Sequence, residues 1–294
     1  MLSKYCDEIG LPPGVLNILH GLGPEIGSAI VDHPEVKAIS FTGSSRVGKI
    51  IAETCGKKMK KFSLELGGKN PFIITESADI EKATSTAMRA AFTNQGQVCL
   101  CGSRIYIHEN VYDEVKNKML EKLKKLKPGN PEHDTSRFGS LTSKEHYQKV
   151  SSYIQMAKAD SNITIHQEAC DLKNGHFIAP AILENVSPNH PINQDEIFGP
   201  IATIQPYKSD DELVELANNT DYGLCASIFT NNKNQAKQLA SKIDAGIVWV
   251  NTWLARDLRT PFGGVKASGF GREGGNYALN FFTEPKNICF MENE

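Results

Sequence analysis

Residues 38–53, AISFTGSSRVGKIIAE, pass from a short apolar run through a glycine turn into an amphipathic pattern. The order is strand, tight turn, helix. A helix starting on such a turn presents unpaired N–H groups and its positive dipole end, which suits a phosphate. Two phosphate chemistries compete there with a plain strand–helix turn. Gly43 to Lys49 fits G-x-x-x-x-G-K, the front of a P-loop, but Ile50 follows where Mg²⁺ needs a Ser or Thr hydroxyl. A dinucleotide pyrophosphate needs only the glycine and the helix end. Gly21 to Gly27, GLGPEIG, resembles G-x-G-x-x-G with one residue too many.

Outward from this unit the same alternation continues. Upstream lie a helical LSKYCDEIG, an extended VLNIL and a helical EIGSAIVD; downstream come NPFIIT, the helix ADIEKATSTAMRAAF capped by Ser77 or Asp79, SRIYIH and the helix YDEVKNKMLEKLKKL. After a polar segment near 128–145, strands recur at Ala179–Leu183, IATIQPY, CASIFT and AGIVWVN. This pattern predicts an α/β fold with a mostly parallel sheet. PFGGVKASGFGREGG is too glycine-rich for regular structure and reads as a loop, and NICFM reads as an edge strand seeking a partner.

Composition narrows the function. With 294 residues, 40% apolar and 22% charged, and a net charge of −2, the chain has room for two domains and lacks the basic excess of a nucleic-acid binder. No apolar run approaches the ~18 residues of a membrane span. MLSKYCDEIG carries charges where a signal peptide has an apolar block. Seven cysteines, odd in number and scattered, do not form a disulfide framework, which predicts a reducing, cytoplasmic home.

Residues 96–104, GQVCLCGSR, set Cys99 and Cys101 one residue apart among small and polar neighbours. Metal binding wants C-x-x-C spacing and further ligands, which are missing. Two packed small side chains are one reading. The other is a nucleophile, with backbone N–H groups after Asn94-Gln95-Gly96-Gln97 stabilising a thiolate and an oxyanion. A base is at hand: Glu65 of SLELGGKNP sits in an apolar strand, where desolvation raises a carboxyl pKa unless the group is ion-paired.

FTGSSRVG, LELGGKNP, NQGQVCLCGSR, EIFGPI and PFGGVKASGFGREGG occur in the order of the aldehyde dehydrogenase superfamily, which the chain resembles over nearly its whole length. The resemblance implies a partial Rossmann-type nucleotide-binding domain (1–66), an α/β catalytic domain (67–267) and a return segment with a C-terminal oligomerisation strand (268–294). It implies oxidation of a small-molecule aldehyde to an acid with NAD⁺, NADP⁺ being the alternative. Cys99 then takes the nucleophile's place and Glu65 the general base's, with Cys101 a spectator. Gly43 and Ser44 match the pyrophosphate turn; Glu65, Leu66 and Gly67 line the cofactor side; Glu196 and Phe198 match the residues holding the nicotinamide ribose and ring. VNTWLARDLRTPFGG is similar to the 2-aminomuconate and 2-hydroxymuconate semialdehyde dehydrogenases, so Arg256, Arg259 and Asn251 become substrate residues, the arginines suiting a far carboxylate. A surface arginine paired with Asp257 is the competing reading.

Against relatives of roughly 500 residues, the match lacks roughly the first 200 family positions. Lost with them are the opening strands of the nucleotide fold, an oxyanion-hole asparagine and a lysine for the adenosine ribose. The expectation is an exposed sheet edge, an uncovered apolar face and weak or no turnover in isolation. Homo-oligomerisation is the family's habit. A non-catalytic partner of full-length relatives is the alternative function, and a P-loop NTPase a remote third.

Overall fold

The computed structural model describes residues 1–133, 136, 138–172 and 174–291. Helices α1 (Leu2–Glu8) and α2 (Ser28–Asp32) precede the opening unit, which forms as read: strand β1 (Ala38–Thr42), then helix α3 (Ser45–Lys57) capped by Ser44. VLNIL departs from expectation. No strand forms at 15–19, and Val15, Leu16, Ile18 and Leu19 lie exposed, because no neighbouring strand among the described residues offers a ladder.

Strand β2 (Lys61–Glu65) pairs in parallel with β1, and the chain passes at once into β3 (Asn70–Ile74). Then come α4 (Ile80–Phe92), β4 (Gly102–His108), α5 (Tyr112–Leu123) and α6 (Lys144–Ala159). Asp79, not Ser77, caps α4 by accepting from the Lys82 amide. The second half supplies β5 (Thr164–Gln167), β6 (Ala181–Glu184), α7 (Pro191–Gln194), β7 (Ile201–Tyr207), α8 (Asp210–Asn218), β8 (Tyr222–Gly223), β9 (Cys225–Phe229), α9 (Lys233–Lys242) and β10 (Ile247–Val250). The glycine-rich segment is not wholly irregular: β11 (Val265–Lys266) pairs with β8 and β12 (Gly269–Phe270) with β2. Helix α10 (Gly275–Phe282) follows.

Among the described residues the main sheet has the order β10-β9-β3-β4-β7-β6-β5, parallel except for β5. Its central strands β3 and β9 are buried along their whole length, as a sheet covered on both faces requires. Phe72, Ile105 and Ile107 meet the alanine face of α4 on one side; Ile73, Tyr106 and Ile228 meet Leu213 and Leu239 on the other. Each such side chain contributes about 1.5–3 kcal/mol by leaving water. A smaller sheet, β1-β2-β12, packs Leu64 against Ile51 and Cys55 of α3 and leaves β1 as an edge.

Residues 287–291, read as an edge strand, pair with nothing among the described residues and lie exposed. No described helix is long and apolar enough to cross a membrane. The end of β2, the turn into β3 and the segment leading into β4 meet where Asn70 binds the backbone of Cys99 and Cys101, and that junction holds the candidate site.

Candidate active site

The last three residues of β2 are all buried, Glu65 among them at the strand's end, with its Oε1 unpartnered among the described residues. Burial raises its carboxyl to about 7; Glu273 adds to the rise, and Arg272 and Arg256 oppose it. A carboxyl so placed is a base near neutrality.

Cys99 is held from the other side. Helix α4 ends in three successive left-handed residues, Asn94 (φ 50°), Gln95 (φ 57°) and Gly96 (φ 70°). Such backbone is costly and persists where surrounding contacts impose it. At Gly96 the reason is visible: a methyl group there would lie 2.2 Å from the Gly199 carbonyl oxygen. The chain then makes a turn closed by Cys101 N–H donating to Val98 O (3.0 Å), with Cys99 on the turn. Buried Asn70 fixes the turn, donating through Nδ2 to Cys99 O (2.7 Å) and Cys101 O (2.9 Å) while Oδ1 accepts from Cys225 N (3.1 Å). Trp253 Nε1 donates to Leu100 O at 2.9 Å.

The electrostatic balance at Cys99 departs from the thiolate-favouring setting expected. Its thiol is raised above the ordinary value by burial first, then by Glu196 and Glu65; hydrogen bonds from the Cys99 and Leu100 backbone lower it but do not prevail. The resting group is a thiol, and both carboxylates lie within electrostatic reach of it. Cys101 is pushed up to about 12 by burial, consistent with an inert neighbour.

Glu196 rests on the Gly67-Gly68 turn. Gly68 N donates to its Oε1 (3.0 Å), and a methyl at Gly67 would lie 2.1 Å from Oε2, so only glycine admits the carboxylate. Burial raises Glu196; the Gly68 bond, Lys149 and Lys69 pull it down. Behind the turn lies a cavity of about 20 Å³ bordered by Lys69, Cys101, Ser103, Glu196 and Phe198. It has room for one water and does not include Cys99, so it is not the reacting face.

The chain matches the aldehyde dehydrogenase family model over residues 1–288. It belongs to the aldehyde dehydrogenase family. The chain is similar to the 2-aminomuconic semialdehyde dehydrogenases of Danio rerio (43% identity over 98% of this chain and 61% of the relative) and Homo sapiens (41%, 98% and 61%). It is also similar to the 2-hydroxymuconic semialdehyde dehydrogenase of Pseudomonas sp. strain CF600 (41%, 98% and 61%). Among solved structures, the betaine aldehyde dehydrogenase of Staphylococcus aureus in complex with NAD⁺ superposes with a TM-score of 0.91 at 33% identity, covering 99% of this chain and 60% of that one. The NAD⁺ complex of Bacillus cereus aldehyde dehydrogenase gives 0.92 at 38%, with 96% and 57% covered. The chain therefore spans about three fifths of the length of the relatives it matches.

This aldehyde dehydrogenase chain brings some candidate residues together and not others. Cys99, Glu65, Glu196 and Gly67 converge, and Leu66 packs inward while its N–H donates to Ser268 O. Gly43 and Ser44 form the exposed turn beside them, Gly43 N donating to Glu65 O (3.0 Å). The Arg256 guanidinium lies 3.9 Å from the Phe262 ring centroid, and its charge reaches Glu65. Arg259 is exposed and holds Asp257 through Nε at 2.9 Å. Asn251 spends its amide on Thr230, donating to O (2.9 Å) and accepting from N (3.0 Å).

Sequence reading missed Asn70 and a clamp on α6. His146 Nε2 donates to Phe198 O (2.6 Å), Lys149 Nζ to Glu196 O (2.8 Å) and Tyr153 OH to Asp195 (2.9 Å), while Val150 packs on Gly199. These positions share one helix face. Their spacing was visible in the sequence, but the distant loop they grip was not.

Proposed function

We propose that the chain carries the thiol site of an NAD⁺- or NADP⁺-dependent aldehyde dehydrogenase acting on a semialdehyde with a carboxylate at its far end. The observation that carries this is the placing of Glu65 and Glu196, each within electrostatic reach of Cys99, around a turn held by Asn70.

The residues fit a dinucleotide. The exposed Gly43-Ser44 turn at the start of α3 suits the pyrophosphate, and Glu196 beside Phe198 suits the ribose and ring. Bound there, the nicotinamide supplies the hydride acceptor. Glu65 takes the Cys99 proton as pH passes its own value near 7, and the sulfur attacks the aldehyde carbon. The Cys99 and Leu100 N–H groups, which reach the Cys99 sulfur, are the turn's donors for the oxyanion, the Cys101 N–H being held by Val98 O. Once the carbon is oxidised, Cys99 is left as a thioester, and Glu65 activates water to release the acid and the thiol. Arg256, near Glu65 and stacked on Phe262, supports recognition of a distant carboxylate, in keeping with the substrates named for the relatives; Arg259 reaches one only by leaving Asp257.

The domain division at 66/67 and 267/268 belongs to the same reading. It is supported by β1 and β2 lying in the small sheet, β3 to β7, β9 and β10 in the large one, and the return strand β12 pairing with β2. So do a cytoplasmic home, supported by cysteines that are all free, and homo-oligomerisation through the C-terminal strand of the 268–294 segment. The exposure of that segment equally favours a second reading, a non-catalytic partner for longer relatives.

Incubating Glu65→Gln with NAD⁺ and a carboxylate-bearing aldehyde tests the scheme by intact mass. At neutral pH Glu65→Gln, which lacks the proton acceptor, gains an acyl adduct on Cys99 slowly and then keeps it, while the unaltered chain acylates faster and releases the acid, and Cys99→Ser forms no adduct. Absence of both adduct and reduced nicotinamide refutes it.

A further inference from the structure

Two buried polar atoms on one face of β2 have no partner among the described residues: Ser63 Oγ and Glu65 Oε1. Their residues are 4% and 6% exposed, and two-residue spacing puts both side chains on the same side of the strand. Unpaired buried polar groups are rare and costly, so two on one strand face call for a common explanation.

The cover above them is made of glycine. A methyl built on Gly263 would lie 2.9 Å from Glu65 Oε1 and 2.9 Å from Gly271 O, and one on Gly271 would lie 3.0 Å from Ser63 Oγ. Both glycines have positive φ, 154° and 87°. The hydroxyl and the carboxyl thus lie under one continuous lid, which Arg272 ties together by donating to Gly264 O (2.8 Å) and Gly271 O (2.7 Å).

The geometry points to Ser63 as a positioning residue for Glu65, its hydroxyl acting on the carboxyl from the same strand face beneath the Gly263–Gly271 lid. The inference rests on the reading of Glu65 as the base that faces Cys99. Ser63 touches neither substrate nor cofactor; it favours the charged form of Glu65 and fixes the direction in which the carboxyl points. The charged groups facing Glu65 are Glu273, Arg272 and Arg256 from the glycine-rich segment and Cys99 from its turn. Arg272 donates through Nη1 to two carbonyls and Arg256 stacks on Phe262; among the described residues neither donates to Glu65 Oε1, and Ser63 supplies a neutral donor on that face.

Alkylation of Cys99 by iodoacetamide, followed by peptide mass across pH 5–9 on the full chain, reads the ionisation of Glu65 without cofactor or turnover. The unaltered chain shows an inflection near pH 7 from Glu65. Ser63→Ala moves it upward by roughly 0.5–1 pH unit, and Ser63→Thr, which keeps the hydroxyl, restores it. An inflection that stays in place in Ser63→Ala yet vanishes in Glu65→Gln overturns the role of Ser63 and leaves the base standing. An inflection that survives in Glu65→Gln overturns both.

Discussion

Glu65 stores an energetic cost that its chemistry requires. Its carboxyl titrates near 4.5 when exposed and about 7 in the fold, chiefly through burial. The folded state therefore holds the proton more tightly than the unfolded chain. The penalty is absent below pH 4.5, grows between 4.5 and 7, and is complete above 7, reaching about 3 kcal/mol. Glu65→Gln removes the ionisation and keeps the shape. Its stability relative to the unaltered chain should rise by about 3 kcal/mol between pH 4.5 and pH 8, measured by urea denaturation at each end. A flat difference would mean that the carboxyl is not desolvated as the fold places it. The same residue shows what sequence could reveal. A glutamate in an apolar strand before two glycines announces itself, whereas Asn70, five residues later, looks like an ordinary polar residue at a strand start. Its three hydrogen bonds to the Cys99 turn and β9 exist only once segments far apart in the chain are assembled.

At the scale of elements, strand and helix patterns were legible wherever one face was apolar and a cap or glycine marked the end, as for β1, α3, β3 and α4. Helices α6, α8 and α9 were less visible because polar residues dominate them, although Ser143 and Ser209 cap the first two by accepting from His146 N and Glu212 N. The miss matters, since α6 grips the loop carrying Glu196 and Phe198. Lys149 and Tyr153, one turn apart, hold adjacent loop residues, so their contributions should not be independent. In a double-mutant cycle of Lys149→Met and Tyr153→Phe, we expect a coupling of about 1 kcal/mol, read by denaturation at pH 7. Additivity within about 0.3 kcal/mol would show that the helix does not act as one clamp.

For the whole molecule, the balance of buried and exposed apolar surface sets the behaviour in solution. The main sheet is covered where β3, β4, β7 and β9 run, yet Leu16, Leu19 and Leu22 in the first thirty residues and Phe282, Ile288, Phe290 and Met291 in the last fifteen lie open. The edge of β1 is also unpaired among the described residues. Large apolar side chains left open in two stretches favour association, and an open strand edge adds directional hydrogen bonding to it. Net charge of −2 provides little repulsion to oppose contact. The chain should therefore sediment as a concentration-dependent mixture of monomer and larger species. Ile288→Glu with Phe290→Glu adds two negative charges to the exposed segment without touching the core, deepens the net charge of −2, and should shift the mixture toward monomer by about tenfold in dissociation constant while leaving the pH dependence of Cys99 alkylation unchanged. A monodisperse unaltered chain would show that these side chains cover one another in solution, and an equal mixture in both proteins would move the contact to the β1 edge.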